Sequence, residues 1–308
     1  MRIVCDTYIP YIVDAVRREW PQVDICPLKP EEIDADAVRE ADVLVVRTRT
    51  KVNEALLAGS AVRLVCTATI GFDHIDTAYC EAHGIRWMSC PGCNAQAVCD
   101  YIEEALTEVN AKGTIGVVGV GHVGSLVAQM AERKGLKVLL NDPPKNIGES
   151  IDFIGQECDI ITFHVPLDKS TYHLCDEAFL KRCKPNALII NAARGGVVDE
   201  QALLHSGHPY VLDTWENEPN LNKDVLAGAL RASMHIAGYS VEGKRNASQM
   251  CLAAIAKEFH LPYIDISTSR DLDISTGDTK FGWLERITRQ LQTQPDQFEE
   301  LRKNYLLR

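Results

Sequence analysis

Arg194 in NAARGG, Glu218 in DTWENEP and His235 in MHIAGY are the residues whose types could move a proton beside a bound carboxylate. A guanidinium fork suits two-point capture of a carboxylate, and an imidazole oriented by a carboxyl group can exchange a proton with a substrate hydroxyl. Each also has a plainer reading, as a surface ion pair, a solvated loop charge and a core histidine. A second stretch, Cys90-Pro-Gly-Cys93, suggests sulfur chemistry. A thioredoxin-type centre needs its first cysteine at a helix N-terminus, where Cys93 and Asn94 stand instead, and a zinc site needs a second ligand pair, which is not evident. The stretch therefore reads as an elbow shaped by Pro91, Gly92 and Asn94, and no metal is expected.

The strongest local motif is GVVGVGHVG, in which Gly119, Gly121 and Gly124 form G-x-G-x-x-G between a strand pattern and a helix pattern. Such a turn lets the backbone approach a pyrophosphate and aims free N–H groups of the helix at it, those of His122 and Val123 among them. Asp142, ending the next strand pattern about 20 residues on, is placed to accept a ribose 2'-hydroxyl and to repel a 2'-phosphate. The expected cofactor is NAD rather than NADP.

These residues need strand ends to hold them. Five β-rich runs (RIVCDT, VDICPL, VLVVRTRT, RLVCTAT, IRWMSC) alternate with helical patterns at 11–20, 31–40 and 74–83, which predicts a compact flavodoxin-like parallel-sheet unit. A second series, TIGVVG, KVLLND, DIITFHVP, ALIINAAR and YVLDTW, predicts a Rossmann-like one. Between them, Val98, Tyr101, Ile102, Ala105, Leu106 and Val109 form one helical stripe with Asn94 as its N-cap, the expected hinge connector. The fold class is thus α/β, two parallel-sheet domains with a cleft between them. Ligands of such sheets bind beyond the carboxyl ends of the strands, where Arg194, Asp213 and His235 fall.

Composition bounds the partners. The chain of 308 residues is 46% hydrophobic and carries a net charge of -11, which argues against nucleic acid and anionic membranes. No run approaches the roughly 18 apolar residues of a membrane span, and the N-terminus lacks the pattern of a cleaved leader. Eleven cysteines sit singly in apolar patterns, as free thiols do in a reducing compartment, so a cytoplasmic location is expected.

Through GVVGVGHVG, NAARGGVVDE, DTWENEP and HIAG the chain resembles the D-2-hydroxy-acid dehydrogenases over nearly its whole length. The resemblance implies NAD-dependent oxidation of a 2-hydroxy acid, with Arg194, Glu218 and His235 catalytic and His235 as the acid/base. It implies cofactor contacts at Asp142, Thr162, Asp213 and Gly238 beside the glycine loop, and substrate contacts at Thr48, Thr69 and Tyr239. It implies a substrate-binding lid of 1–93 completed by 241–258, an NAD domain of 94–240, and a C-terminal segment of 259–308 serving a homodimer. Arg47, Arg49 and Lys51 in VRTRTK form a local basic cluster in an acidic chain, which is what a phosphorylated acid would need; Arg47 and Arg49 share one strand face and Thr48 takes the other. Another 2-hydroxy-acid specificity, or an NAD-sensing corepressor-like binding protein, remains an alternative. Two departures from the family pattern stand out: crossovers shortened around 101–115, 147–156 and 205–210, and Met234 in the place of a proline, which is expected to loosen the backbone that aims His235.

Overall fold

A computed structural model of the chain describes residues 1–267 and 282–307. These divide into two compact units, one of residues 1–94 and 240–267, the other of 95–239 and 282–307.

The first unit holds five parallel strands, β1 (Arg2–Asp6), β2 (Asp24–Leu28), β3 (Val43–Val46), β4 (Leu64–Thr67) and β5 (Arg86–Met88), in the order β2-β1-β3-β4-β5. This is the flavodoxin order that the five apolar runs predict. Alternation along each strand divides the core into two layers: Ile3, Cys5, Val43, Val45, Leu64 and Cys66 pack on one face. Val4, Leu44, Val46 and Val65 pack on the other. The first face is covered by helices Ile12–Glu19 and Val241–Phe259, the latter a return of the chain from far along the sequence. Ile264 and Ile266, just past that helix, complete the same layer.

The second unit begins with helix Ala95–Glu108 and carries β6 (Thr114–Val118), β7 (Lys137–Asp142), β8 (Ile147–Gly148), β9 (Ile160–Phe163), β10 (Leu188–Asn191), β11 (Tyr210–Leu212) and β12 (Arg231–Ala232). Their order is β12-β11-β10-β9-β6-β7-β8, all parallel except the β7/β8 pair. The direction of strand addition reverses between β6 and β9, so the end of β6 lies at the topological switch point, where such sheets bind ligands. The shortened stretch after Asp142 appears here as a two-residue antiparallel β8 where a longer crossover is usual.

Of the helical stripe, Val98, Tyr101, Ile102, Ala105 and Leu106 are buried, as their spacing requires. Asn94 does not cap this helix: its Oδ1 is buried without a hydrogen-bond partner. Helices Trp283–Thr293 and Phe298–Asn304 put Trp283, Leu284, Leu291, Phe298 and Leu301 into the core of the second unit. Thr288 continues the ladder at the β12 edge, its Oγ1 accepting from Ala232 N at 2.8 Å and donating to Ala232 O at 3.1 Å. A strand edge that would otherwise present unpaired groups is thereby covered.

Candidate active site

β6 is followed by Gly119, whose φ of +89° is open to glycine alone at little strain. A Cβ there would press on the carbonyl of His164, and a Cβ at Gly124 would collide with the carbonyl of Gly119. At Gly121 a Cβ would meet nothing within 4 Å. The turn is therefore packed on its inner side and open at its middle glycine, the shape of a cradle that a pyrophosphate would fill. Helix His122–Arg133 starts at this opening, and the N–H groups of its first turn, those of His122 and Val123 included, have no intrahelical acceptor. Asp142 braces the loop, accepting from Val120 N at 2.9 Å through Oδ2. Its Oδ1 makes no hydrogen bond among the described residues and stays available to a ribose hydroxyl. Lys145 reinforces the corner by donating to Val120 O at 2.6 Å.

Thr162 and Asp213 turn inward. Thr162, at the end of β9, is fully buried and its hydroxyl lies 3.0 Å from His164 Nε2. The imidazole, half-buried at the cradle, has its pKa pushed down to about 3 by burial and is neutral at any working pH. Asp213 is 1% exposed, and its carboxylate accepts from Ser233 Oγ at 2.6 Å, Ile236 N at 2.7 Å and Ala237 N at 2.9 Å. Its backbone carbonyl accepts from His235 N at 2.8 Å. This explains how His235 keeps a φ of +58°, a left-handed conformation that costs a non-glycine residue free energy unless its surroundings over-determine it. Asp213 grips both flanks of His235, so Met234 does not leave the backbone loose. The Met234 side chain is itself buried in the core of the second unit. Gly238 and Tyr239 follow at a turn closed by Tyr239 N donating to Ile236 O at 2.9 Å.

His235 Nδ1 lies 2.9 Å from Glu218 Oε2, and Glu218 Oε1 accepts from Trp215 N at 2.9 Å. Burial pushes the Glu218 carboxyl up, but the His235 hydrogen bond and charge, the Trp215 N–H and the nearby Arg302 together hold it below the ordinary value. Glu218 is thus ionised, and the imidazole nitrogen facing it carries a proton. That leaves Nε2 as the nitrogen with a lone pair. Arg194, one residue past the NAA turn after β10, anchors one guanidinium nitrogen, Nη1, on Ala193 O at 2.8 Å. The turn itself is tied by Asn191, which donates to Arg194 O at 2.8 Å and accepts from Ala193 N at 3.0 Å. Gly195 lets this loop lie directly on Trp215 and Glu216: a side chain there would collide with their backbone. Arg194 and the Glu218–His235 pair therefore belong to one packed assembly within the second unit.

Three members of this assembly were not legible in the sequence. Glu200, 4% exposed, accepts from Glu216 N at 2.7 Å and so secures the turn that carries Glu218. Burial first, and then the charges of Glu216, Glu218 and Asp199, push its pKa up to about 7 against the donated Glu216 N–H. His173 sits 2.5 Å from Glu216 Oε1. Arg302, in the C-terminal helix Phe298–Asn304, donates to the Tyr239 hydroxyl at 3.1 Å and stands over its ring. Only the alternation of charge and apolar positions in FEELRKNYLLR signals that helix, and nothing local signals its target.

In the first unit, Arg47 follows β3 and donates to the buried Asp6 at 2.8 Å from Nε and 3.3 Å from Nη2. Thr48 is exposed, and Arg49 and Lys51 are exposed with it, so of that basic stretch Arg47 alone is built into the fold. Thr69 is half-buried, its Oγ1 within 2.7 Å of Thr67 Oγ1 and donating to Gly71 O at 2.9 Å. Thr67 in turn lies 3.0 Å from His74 Nε2. Cys90 is fully buried, with its thiol 3.3 Å from Thr67 O, 3.4 Å from Ala247 O and 3.8 Å from Cys251 Sγ. Contact with Cys251 and burial push the Cys90 thiol far up, and burial pushes that of Cys93 to about 12. Both are protonated thiols in the core, unsuited to attack or metal binding. Among the described residues no group of three His, Cys, Asp or Glu side chains could hold a metal ion, and no helix is long and apolar enough to cross a membrane.

Residues 98–237 match the NAD binding domain of the D-isomer specific 2-hydroxyacid dehydrogenases. Over all of its length the chain is 40% identical to an erythronate-4-phosphate dehydrogenase of Bacteroides fragilis, covering 97% of that protein. It is 38% identical to the one of Salmonella schwarzengrund, covering all of this chain and 92% of that one. The Bacteroides alignment spans 343 positions against 308 residues here, in keeping with shortened connections. Among solved structures, 3-phosphoglycerate dehydrogenase of Entamoeba histolytica shares the fold with a TM-score of 0.72 at 23% identity, over 86% of this chain and 98% of that one. D-lactate dehydrogenase of Aquifex aeolicus shares it with a TM-score of 0.65 at 23% identity, over 84% and 95%.

Proposed function

The chain belongs to the family of D-isomer specific 2-hydroxyacid dehydrogenases, and on that premise we propose that it oxidises 4-phospho-D-erythronate at C2 to 2-oxo-3-hydroxy-4-phosphobutanoate, a step of pyridoxal 5'-phosphate biosynthesis. Full-length identity of 40% to erythronate-4-phosphate dehydrogenase supports the substrate. The observation that carries the chemistry is the His235–Glu218 pair at 2.9 Å, with the left-handed His235 backbone clamped by Asp213. When bound, NAD accepts the hydride from C2. The opening at Gly121 and the first turn of helix His122–Arg133 would hold its phosphates, and Asp142 Oδ1, without a hydrogen bond among the described residues, would hold its ribose hydroxyl.

The chain's own residues do the rest. Arg194, one nitrogen fixed on Ala193 O, turns its remaining N–H edge to the C1 carboxylate. His235 takes the C2 hydroxyl proton on Nε2 while Nδ1–H stays on Glu218. Glu218, held ionised, stabilises the imidazolium so formed. Fixing these groups beforehand removes much of the entropic part of the barrier. The reading includes a cytoplasmic location and a homodimer, the second of which light scattering of the purified protein tests directly.

The decisive experiment is a panel of 2-hydroxy acids with and without a terminal phosphate, followed by NADH absorbance. 4-Phospho-D-erythronate is expected to have the highest kcat/KM. A preference for an unphosphorylated acid would refute the substrate and leave the family intact.

A further inference from the structure

Helix Phe298–Asn304 is pinned to the second unit by Phe298 and Leu301, which enter its core, and Arg302 follows Leu301 directly. The Arg302 side chain is 26% exposed, so most of it is withdrawn from water. Its Nε donates to the Tyr239 hydroxyl at 3.1 Å, and Nη1 lies 3.6 Å from Glu299 Oε1 one turn back. The guanidinium carbon stands 5.7 Å from the centre of the Tyr239 ring, and the Tyr305 ring lies 6.4 Å from the same ring. Burial works against the Arg302 cation, but the Tyr239 phenol, Glu218 and Glu299 together raise its pKa above the ordinary value. Partial burial of a guanidinium against a neutral hydroxyl costs solvation that an exposed surface arginine keeps.

Tyr239 belongs to the loop that carries His235. It stands four residues further on, and its N–H closes the turn onto Ile236 O at 2.9 Å. Asp213 already holds the backbone at Ile236 N and Ala237 N, at 2.7 and 2.9 Å. What remains to be aimed in this loop is the Tyr239 side chain. A phenol hydroxyl has one proton to give and lone pairs to accept with. Accepting the Arg302 N–H commits a lone pair, turns the O–H away from the arginine, and polarises it into a stronger donor.

We propose that Arg302 is a positioning residue of the reaction, one that holds the Tyr239 oxygen from behind and so aims the phenol O–H as a donor to the acid bound at His235. The inference rests on the reading that His235 oxidises a 2-hydroxy acid and deepens it, by adding a donor to the substrate and the residue that sets that donor. Glu218 has His235 and the Trp215 N–H as partners apart from Arg302, so the proton-transfer pair does not depend on the arginine. Losing Arg302 should therefore weaken binding of the acid and leave its conversion nearly untouched. The C-terminal helices then do more than cover the β12 edge.

The test is a double-mutant cycle on 4-phospho-D-erythronate with Arg302→Met, Tyr239→Phe and the double variant, with Arg302→Lys beside them. Each single variant is expected to raise the KM for the acid about tenfold, with kcat and the KM for NAD within about threefold of wild type. Arg302→Lys, which keeps a charged donor, should recover part of the loss. Adding Arg302→Met to Tyr239→Phe should raise KM by less than about twofold more, because the group it acts through is already gone. An unchanged KM in Arg302→Met, a fall in kcat at constant KM, or full additivity in the double variant overturns the proposal. An Arg302→Met protein that does not fold in urea melts is replaced by Arg302→Gln, and the cycle is read in the same way. Should wild-type protein prefer an unphosphorylated acid, the substrate reading falls, and the same cycle on that acid decides the role of Arg302.

Discussion

Asp213 and Arg47 each stand just past a strand of a parallel sheet, and each carries a charge into its unit, but their surroundings differ. Asp213 is answered by a hydroxyl and two backbone N–H groups, all from the loop it holds. Arg47 is answered on two nitrogens by Asp6, and its Nη1 has no partner among the described residues. A charge saturated from within the chain acts as scaffold, because a ligand would have to displace good hydrogen bonds to reach it. A charge left open is where a ligand adds interactions without displacing any. His235 combines the two conditions, with Nδ1 saturated by Glu218 and Nε2 free to react.

Removing the open half of that pair should have the largest effect. His235→Ala is expected to lower kcat by about 10²- to 10⁴-fold, the usual worth of a general base. NAD affinity, read by fluorescence titration, should stay within a few-fold because the glycine loop is untouched. Turnover near the wild-type rate would remove His235 from the mechanism.

A saturated charge should instead show its worth in stability. Asp213→Asn keeps the shape but turns an NH2 group toward a backbone N–H, leaving a buried donor unpaired at a cost of about 2–3 kcal/mol. Urea melts should show that loss together with reduced kcat, since the same bonds hold His235 in its left-handed conformation. If Asp213→Asn melts like wild type while NAD binding collapses, the residue is a cofactor contact and the scaffold reading of it is wrong.

The sheets were legible before the structure because their signal is local. Each apolar run, RIVCDT through IRWMSC and TIGVVG through YVLDTW, contains a strand, and Gly119, Gly121 and Gly124 lie where strand and helix patterns meet. Arg194, Glu218 and His235 were legible as types and through the family resemblance, but their contact depends on Gly195 letting one loop lie on another. What the sequence concealed is pairing between distant segments. Ser248 reaches Pro10 O only because a helix returns to the first sheet, and Arg302 reaches Tyr239 only because the C-terminal helices pack on the second unit. Asn94 has a good capping side chain by type, yet its buried Oδ1 has no hydrogen-bond partner among the described residues. Short β8 had no apolar run to announce it.

Glu200 tests the comparison where saturation is incomplete, since its carboxyl is buried among other carboxylates with one N–H donated to it. Its pKa rises from 4.5 to about 7 on folding. Between those values the folded protein holds a proton that the unfolded chain releases, so stability falls as pH rises through this window and stays reduced above it. The loss should be about 2 kcal/mol, discounted from the full shift because the neighbouring carboxylates titrate with it. Glu200→Gln keeps an acceptor for Glu216 N and should remove this part of the slope in melts from pH 4.5 to 8. An unchanged slope would mean that Glu200 is ionised throughout.

The smallest effect is expected where sulfur first suggested chemistry. Cys90 and Cys93 are core thiols held protonated by burial, and a serine at 90 can still donate to Thr67 O. Replacing both by serine puts two small hydroxyls where thiols filled space, costing about 1 kcal/mol in a urea melt. Turnover should stay within twofold, because both thiols are protonated groups packed in the core of the first unit. The residues of this elbow that resist substitution should be those the backbone needs, above all Gly92 with its φ of +79°. If the double serine variant kept its fold and lost its activity, the first unit would hold chemistry of its own, and the reading of both thiols as core packing would fail.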